Sequence, residues 1–195
     1  MENTEKKNVD SILAKSFKQL AVKKPIEKIT IKEITDLTGV IRPTFYNHFQ
    51  DKYDLLEWIV KIEIVTPCRD DIIEGNYKEA ITGMLERMRS EKDFYESCAR
   101  LEGQNSFSQT LSDAIRDMML SFVDEAELTE KLWYKWLTPR LVADFFAKAI
   151  TDSIVTWIRG GMQIAEEEIW ECFAYLANHS ILEMLLGMQA PWGDF

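Results

Sequence analysis

Between Thr30 and Phe49 the chain reads TIKEITDLTGVIRPTFYNHF, and the glycine in the middle of that run leaves little choice of local fold. Thr30 with Glu33 three residues on has the spacing of a capping box, in which hydroxyl and carboxylate satisfy two backbone donors that a helix start leaves open. A helix is therefore predicted from Ile31 to Thr38, with Ile31, Ile34 and Leu37 on one face. Gly39 supplies the left-handed turn that ends it, and a second helix is predicted from Arg42 to Phe49, whose Pro43 is tolerated because it lies in the first turn. Phe45 and Phe49 are four apart and point back into a core, which leaves Arg42, Thr44, Tyr46, Asn47 and His48 facing outward. This is helix-turn-helix geometry with side chains of the kind that read DNA on its outer face.

The rest of the chain repeats the helical period without alternating like a strand. With 8 Gly and 5 Pro in 195 residues and 46% hydrophobic content, an all-α protein with a sizeable core is predicted. Ile12, Leu13, Phe17 and Leu20 mark a first helix from Val9, preceded by a polar tail over residues 1–8 and stopped at Lys23-Lys24-Pro25. Asp51 is placed to cap a fourth helix carrying Leu55, Leu56, Ile59, Ile62 and Val65, which Pro67 is expected to end. The expected division is a DNA-binding head over residues 1–66 and a larger helical domain over 67–195. In the latter, helices are marked by Ala80 to Met88, Phe94 to Leu101 and Phe107 to Phe122. A short aromatic helix with Leu132, Trp133, Trp136 and Leu137 follows, then two long helices, from about Pro139 to Ile158 and from Glu166 onward.

The formal net charge is -10, but it is unevenly spread. Residues 1–60 hold ten Lys or Arg against nine Asp or Glu, so the acid belongs to the remainder, and a near-neutral front segment can dock on phosphate if its cations are clustered. Cys68, Cys98 and Cys172 are odd in number and lack CxxC spacing, so neither a disulfide framework nor a zinc site is indicated. The start, MENTEKKNVD, lacks an apolar export core, and no apolar run reaches membrane-spanning length. A cytoplasmic protein is expected, with no cofactor, no metal and no membrane partner.

The run ITDLTGVIRPTFYNHF, residues 34–49, followed by Asp51-Lys52-Tyr53-Asp54-Leu55-Leu56, resembles the second, third and fourth helices of the TetR family of bacterial transcription regulators. The detailed resemblance covers about residues 9–60; beyond it lie the helical layout and a W-I-R-G-G-M sequence in the penultimate helix. The resemblance implies that Thr44 and Asn47 face base edges or nearby sugar, that Tyr46 and His48 contact phosphates, and that Lys52 clamps the DNA backbone. Arg42 would reach either a phosphate or a guanine. Family members commonly carry a hydroxyl residue where this chain has Ile41, so the recognition helix lacks a natural N-cap, worth about 0.5–2 kcal/mol. The stretch TFYNHFQDKYDLLEWI also looks like a TetR-type subgroup from Gram-positive bacteria that includes the coactivator of dihydroxyacetone kinase genes.

What the family resemblance implies for function is a homodimer on double-stranded DNA at a near-palindromic operator, most commonly a repressor, controlled by a ligand in the second domain. The alternative is a coregulator whose effector is a partner protein. Phe107, Met118, Phe122, Trp133, Trp136 and Trp157 are candidate ligand-pocket residues, although aromatic and Met residues at helical spacing also simply fill cores. Phe146, Ile150, Ile181 and Met184 are candidate dimer-interface residues, because the last two helices carry more apolar surface than one internal contact uses. There is no catalytic constellation: the two histidines lie at 48 and 179, and no glycine-rich phosphate loop, nucleophile elbow or HExxH occurs, so an enzyme is not expected.

Overall fold

The structure, a computed structural model, describes residues 2–123 and 135–179, and every regular element among them is helical. Helix α1 spans Glu2–Ala21, so the segment expected to be a tail is helical from Glu2. Leu13, Ala14, Phe17 and Ala21 form the buried face of α1, while Ile12 turns outward. A short 3-10 turn, Ile26–Lys28, follows, and Ile26 and Ile29 are buried and pin the connection. Then come α2 (Ile31–Thr38), α3 (Arg42–His48) and α4 (Lys52–Ile59), the last capped by Asp51, which accepts from the amides of Tyr53 and Asp54.

Pro67 does not end the helical path. From α4 the chain continues through a π-helical segment, Val60–Val65, and a 3-10 turn, Thr66–Cys68, into α5 (Arg69–Glu74), which stops at Gly75 with φ 83°. The wide register is what accommodates the proline: both the amide and the hydroxyl of Thr66 donate to the Lys61 carbonyl, and Arg87 Nη2 donates to the Ile64 carbonyl at 3.3 Å. The same register rotates the buried face. Val60 and Ile64 point inward and Ile62 outward, against the expected spacing, while Val65 is buried in accord with it. The expected boundary between residues 66 and 67 thus falls inside an unbroken helical run.

The body comprises α6 (Tyr77–Ser90), α7 (Lys92–Cys98), α8 (Phe107–Leu120), α9 (Pro139–Arg159) and α10 (Glu166–Asn178). Helix α9 lies along α8, α10 packs on α6, and α1 packs on α7. One apolar core runs from Leu13 to Ile169. Phe17 meets Phe94 edge-on at 6.1 Å, and Lys18 pairs with both Glu63 and Glu91, so α1 is bolted to the π-helical segment and to the α6–α7 junction. The W-I-R-G-G-M sequence ends α9 in a turn with Gly161 at φ 75° and Met162 at φ 54°. Arg89 closes that turn: it donates to the carbonyls of Met162 (2.6 Å) and Ile164 (2.7 Å), pairs with Glu166 and lies over the Trp157 ring. Lys92 adds a bond to the Gly161 carbonyl at 2.8 Å. Among the described residues no helix is long and apolar enough to cross a membrane.

Candidate nucleic-acid interface

The local chemistry of residues 30–49 builds two helices at a fixed angle. Thr30 Oγ1 accepts from the Glu33 amide at 3.3 Å while Glu33 Oε2 accepts from the Thr30 amide at 2.9 Å, the reciprocal capping box. Lys24 adds an ion pair, and with these bonds it holds the Glu33 carboxyl at about 2, well under its ordinary 4.5. Gly39 closes α2 at φ 77°, a left-handed conformation that glycine adopts without strain. Helix α3 starts at Arg42 after the N-cap Ile41, whose side chain makes no capping bond, and Pro43 sits in its first turn. Phe45 and Phe49 are buried and touch at a ring separation of 5.9 Å; Phe49 also meets Trp58 edge-on at 6.1 Å. The inner face of α3 is thereby fixed to α4. Leu37, on the same face as Ile34 by spacing, is 50% exposed, whereas Ile34 is fully buried.

The opposite face of α3 is open. Arg42 and Asn47 are exposed, Tyr46 is 53% exposed with its ring edge-on to Phe45 at 5.7 Å, and Thr44 is half-buried. These four are brought to one surface. The two remaining candidates are engaged with the protein itself. His48 Nδ1 donates to Asp10 Oδ1 at 2.6 Å, tying the end of α3 to α1. Lys52 Nζ donates to the carbonyls of Glu27 (2.6 Å) and Ile29 (2.9 Å), closing the turn before α2. Burial lowers the pKa of Lys52, and the same partial burial raises that of Tyr53, whose ring lies under the ammonium. An ammonium has three donors, so Lys52 keeps one for an outside acceptor. Neither Asp10 nor the two carbonyls was visible in sequence spacing, since each lies more than 20 residues from its partner.

The candidate pocket residues do not share one cavity. Phe107 is wholly buried and meets the Tyr95 ring at a tilt, 5.9 Å between centroids, and Trp157 is buried with its indole N–H donated to the Ile164 carbonyl at 2.9 Å. Phe122 lies under the Arg69 guanidinium, Trp136 is 81% exposed, and Trp133 lies outside the described residues. Met118 alone of the six borders a cleft of about 510 Å³ between residues 50–69 and α8, whose walls include Asp54, Glu57, Lys61, Arg69 and Asp113. On α9, Val142, Phe145 and Phe146 are exposed in a row and Ile150 is half-buried; Ile181 and Met184 lie outside the described residues. Among the described residues no cluster of His, Cys, Asp or Glu is placed to hold a metal ion.

Comparison with known proteins agrees with this arrangement. Residues 14–59 match the profile of bacterial regulatory proteins of the tetR family, and residues 75–179 match that of a transcriptional regulator C-terminal region of the same family. The chain is similar to the HTH-type dhaKLM operon transcriptional activator DhaS of Lactococcus lactis subsp. lactis (strain IL1403), 27% identical over 85 residues. That match covers 44% of this chain and 46% of the relative, so the chain spans about half the length of the curated relative it matches. Among solved structures, a dihydroxyacetone kinase operon activator DhaS shares the fold, with a TM-score of 0.55 at 20% identity over 86% of this chain and 92% of that one. The TetR family repressor AlkX from Dietzia sp. strain DQ12-45-1b aligns with a TM-score of 0.48 at 14% identity, over 86% and 91% of the two chains. With one profile over the helix-turn-helix head and the other over just more than half of the chain's length, the protein belongs to the TetR family and is a transcription regulator, not an enzyme.

Proposed function

We propose that the protein is a homodimeric, cytoplasmic regulator that binds a near-palindromic operator through α2 and α3. The observation that carries this reading is the division of α3 into a face locked by Phe45 and Phe49 and an open face bearing Arg42, Thr44, Tyr46 and Asn47. Thr44 and Asn47 read bases, Arg42 takes a guanine or a phosphate, and Tyr46 contacts the backbone. His48 and Lys52 hold the head in shape, and the free donor of Lys52 takes a phosphate. The exposed row of Val142, Phe145 and Phe146 on α9 supports pairing with a second copy, since three adjacent large apolar side chains are poorly suited to water. Residues 1–66 form the DNA-binding unit and the remainder the sensing and pairing unit.

Control by an effector belongs to the same reading. The cleft that joins the head's fourth helix to α8 is lined by charged and polar groups together with Tyr53, Val65, Ala114 and Met118, and suits a small molecule with both polar and apolar parts felt by both units; occupancy there that favoured one head spacing by about 1–3 kcal/mol would suffice to regulate. Repression by occupying the operator is the simpler outcome. Control by a partner protein is the second reading of the effector, and activation in place of repression is favoured by the similarity to a relative named as an operon activator.

Selection of bound duplexes from a random pool at two salt concentrations tests the proposal. An inverted repeat with half-sites about one helical turn apart, or a multiple of it, is the expected product. No enrichment even at low salt overturns DNA binding, and a single unrepeated site overturns the dimer.

A further inference from the structure

We propose that Ile41 reads the operator as well, by packing against the C5-methyl group of a thymine; this rests on the DNA-binding reading above. The residue is the N-cap of α3, with backbone angles of φ -85° and ψ 154°, and its side chain is 67% exposed. At this position a hydroxyl or carboxylate would accept a bond from the start of the helix, and isoleucine makes none. Nor does it serve the core, since the neighbouring inward positions are taken by Ile34 and Phe45, both fully buried. A large β-branched side chain thus stands in solvent at the leading end of the recognition helix, and Leu37, also exposed, lies just before the glycine turn.

In a helix-turn-helix complex the N-terminal residues of the recognition helix are the ones that meet base edges. A side chain there without donor or acceptor can express preference only through apolar contact. The major groove presents one apolar group, the methyl of thymine, and a C5-methyl contact is one of the standard modes of direct readout. Contact with deoxyribose would use the same side chain but would be blind to sequence, so the two are separable by experiment.

The test takes the operator recovered by selection and replaces its thymines one at a time by deoxyuridine, which removes only the methyl. Binding of the full-length protein and of Ile41→Ser is then measured. For the wild type, one position in each half-site is expected to weaken binding roughly fourfold on loss of its methyl, the effect of burying one such group. Ile41→Ser, which carries a good N-cap and folds accordingly, is expected to bind thymine and uridine equally at that position. Indifference of the wild type to uridine at every thymine overturns the proposal, as does undiminished methyl sensitivity in Ile41→Ser, which would assign the contact to another side chain. Failure to bind any duplex overturns the DNA-binding reading and this inference together, whereas tight binding without methyl sensitivity overturns only the role of Ile41.

Discussion

Tyr46 and Asn47 are neighbours on α3, both exposed, and they are expected to fail differently when cut to alanine. Tyr46→Ala removes a backbone contact. Affinity should fall about equally for all sequences, by an amount that salt titration separates from charge effects, since a neutral phenol releases no counterion of its own. Asn47→Ala should relax preference at one base by about 1–3 kcal/mol, seen as a changed selected sequence; an unchanged one removes Asn47 from base reading. Glu33 gives a pH test of the head. Its pKa of about 2 reflects first the bond from Lys24, then those from the Thr30 amide and hydroxyl, so the folded head binds this proton less readily than the unfolded chain. Its contribution is present above about pH 4.5 and is lost as pH falls toward about 2, so the melting temperatures of wild type and Glu33→Gln should converge over that window. A gap that stays constant across it contradicts the assignment. The box itself, Gly39 and the inward Phe45 and Phe49 were legible because each depends on residues within four positions. The bonds from His48 to Asp10 and from Lys52 to the 27–29 turn were not, because they link separate elements.

At the scale of elements, periodicity located the helices well and failed where the period changes. Ile62 was expected inside because α-helical spacing from Leu55 and Ile59 carries it there. The π-helical register of Val60–Val65 carries Ile64 inside instead, and no local residue type announces that switch. The end of α9 is a second such case: its glycines signalled a stop, but not that α6 would supply the closure. Arg89 bonds two carbonyls and Glu166 and covers Trp157, so Arg89→Ala should cost about 2–3 kcal/mol in denaturant unfolding. Arg89→Lys should recover little of it, because a point charge cannot span two carbonyls and a carboxylate as the planar fork does. Full stability in the lysine variant would mean that charge, rather than the fork, closes the turn.

For the whole molecule, the uneven charge and the exposed row on α9 bear on assembly. Phe146→Asp places a carboxylate in that row without touching the core, and it should yield a folded monomer on sizing that has lost tight operator binding. A folded dimer of that variant would move the pairing surface elsewhere. The apolar core that joins Leu13 to Ile169, with the helical run from Lys52 to Glu74 passing through it, leaves no slack between head and body. Along the α-helical parts of such a run each residue added or removed turns everything beyond it by about 100°, and along the wider π-helical turn by somewhat less. For anyone grafting this head onto another regulator's body, the joint at residues 60–66 is therefore a matter of rotational phase: a splice that preserves every side chain but miscounts by one would aim α3 away from the groove.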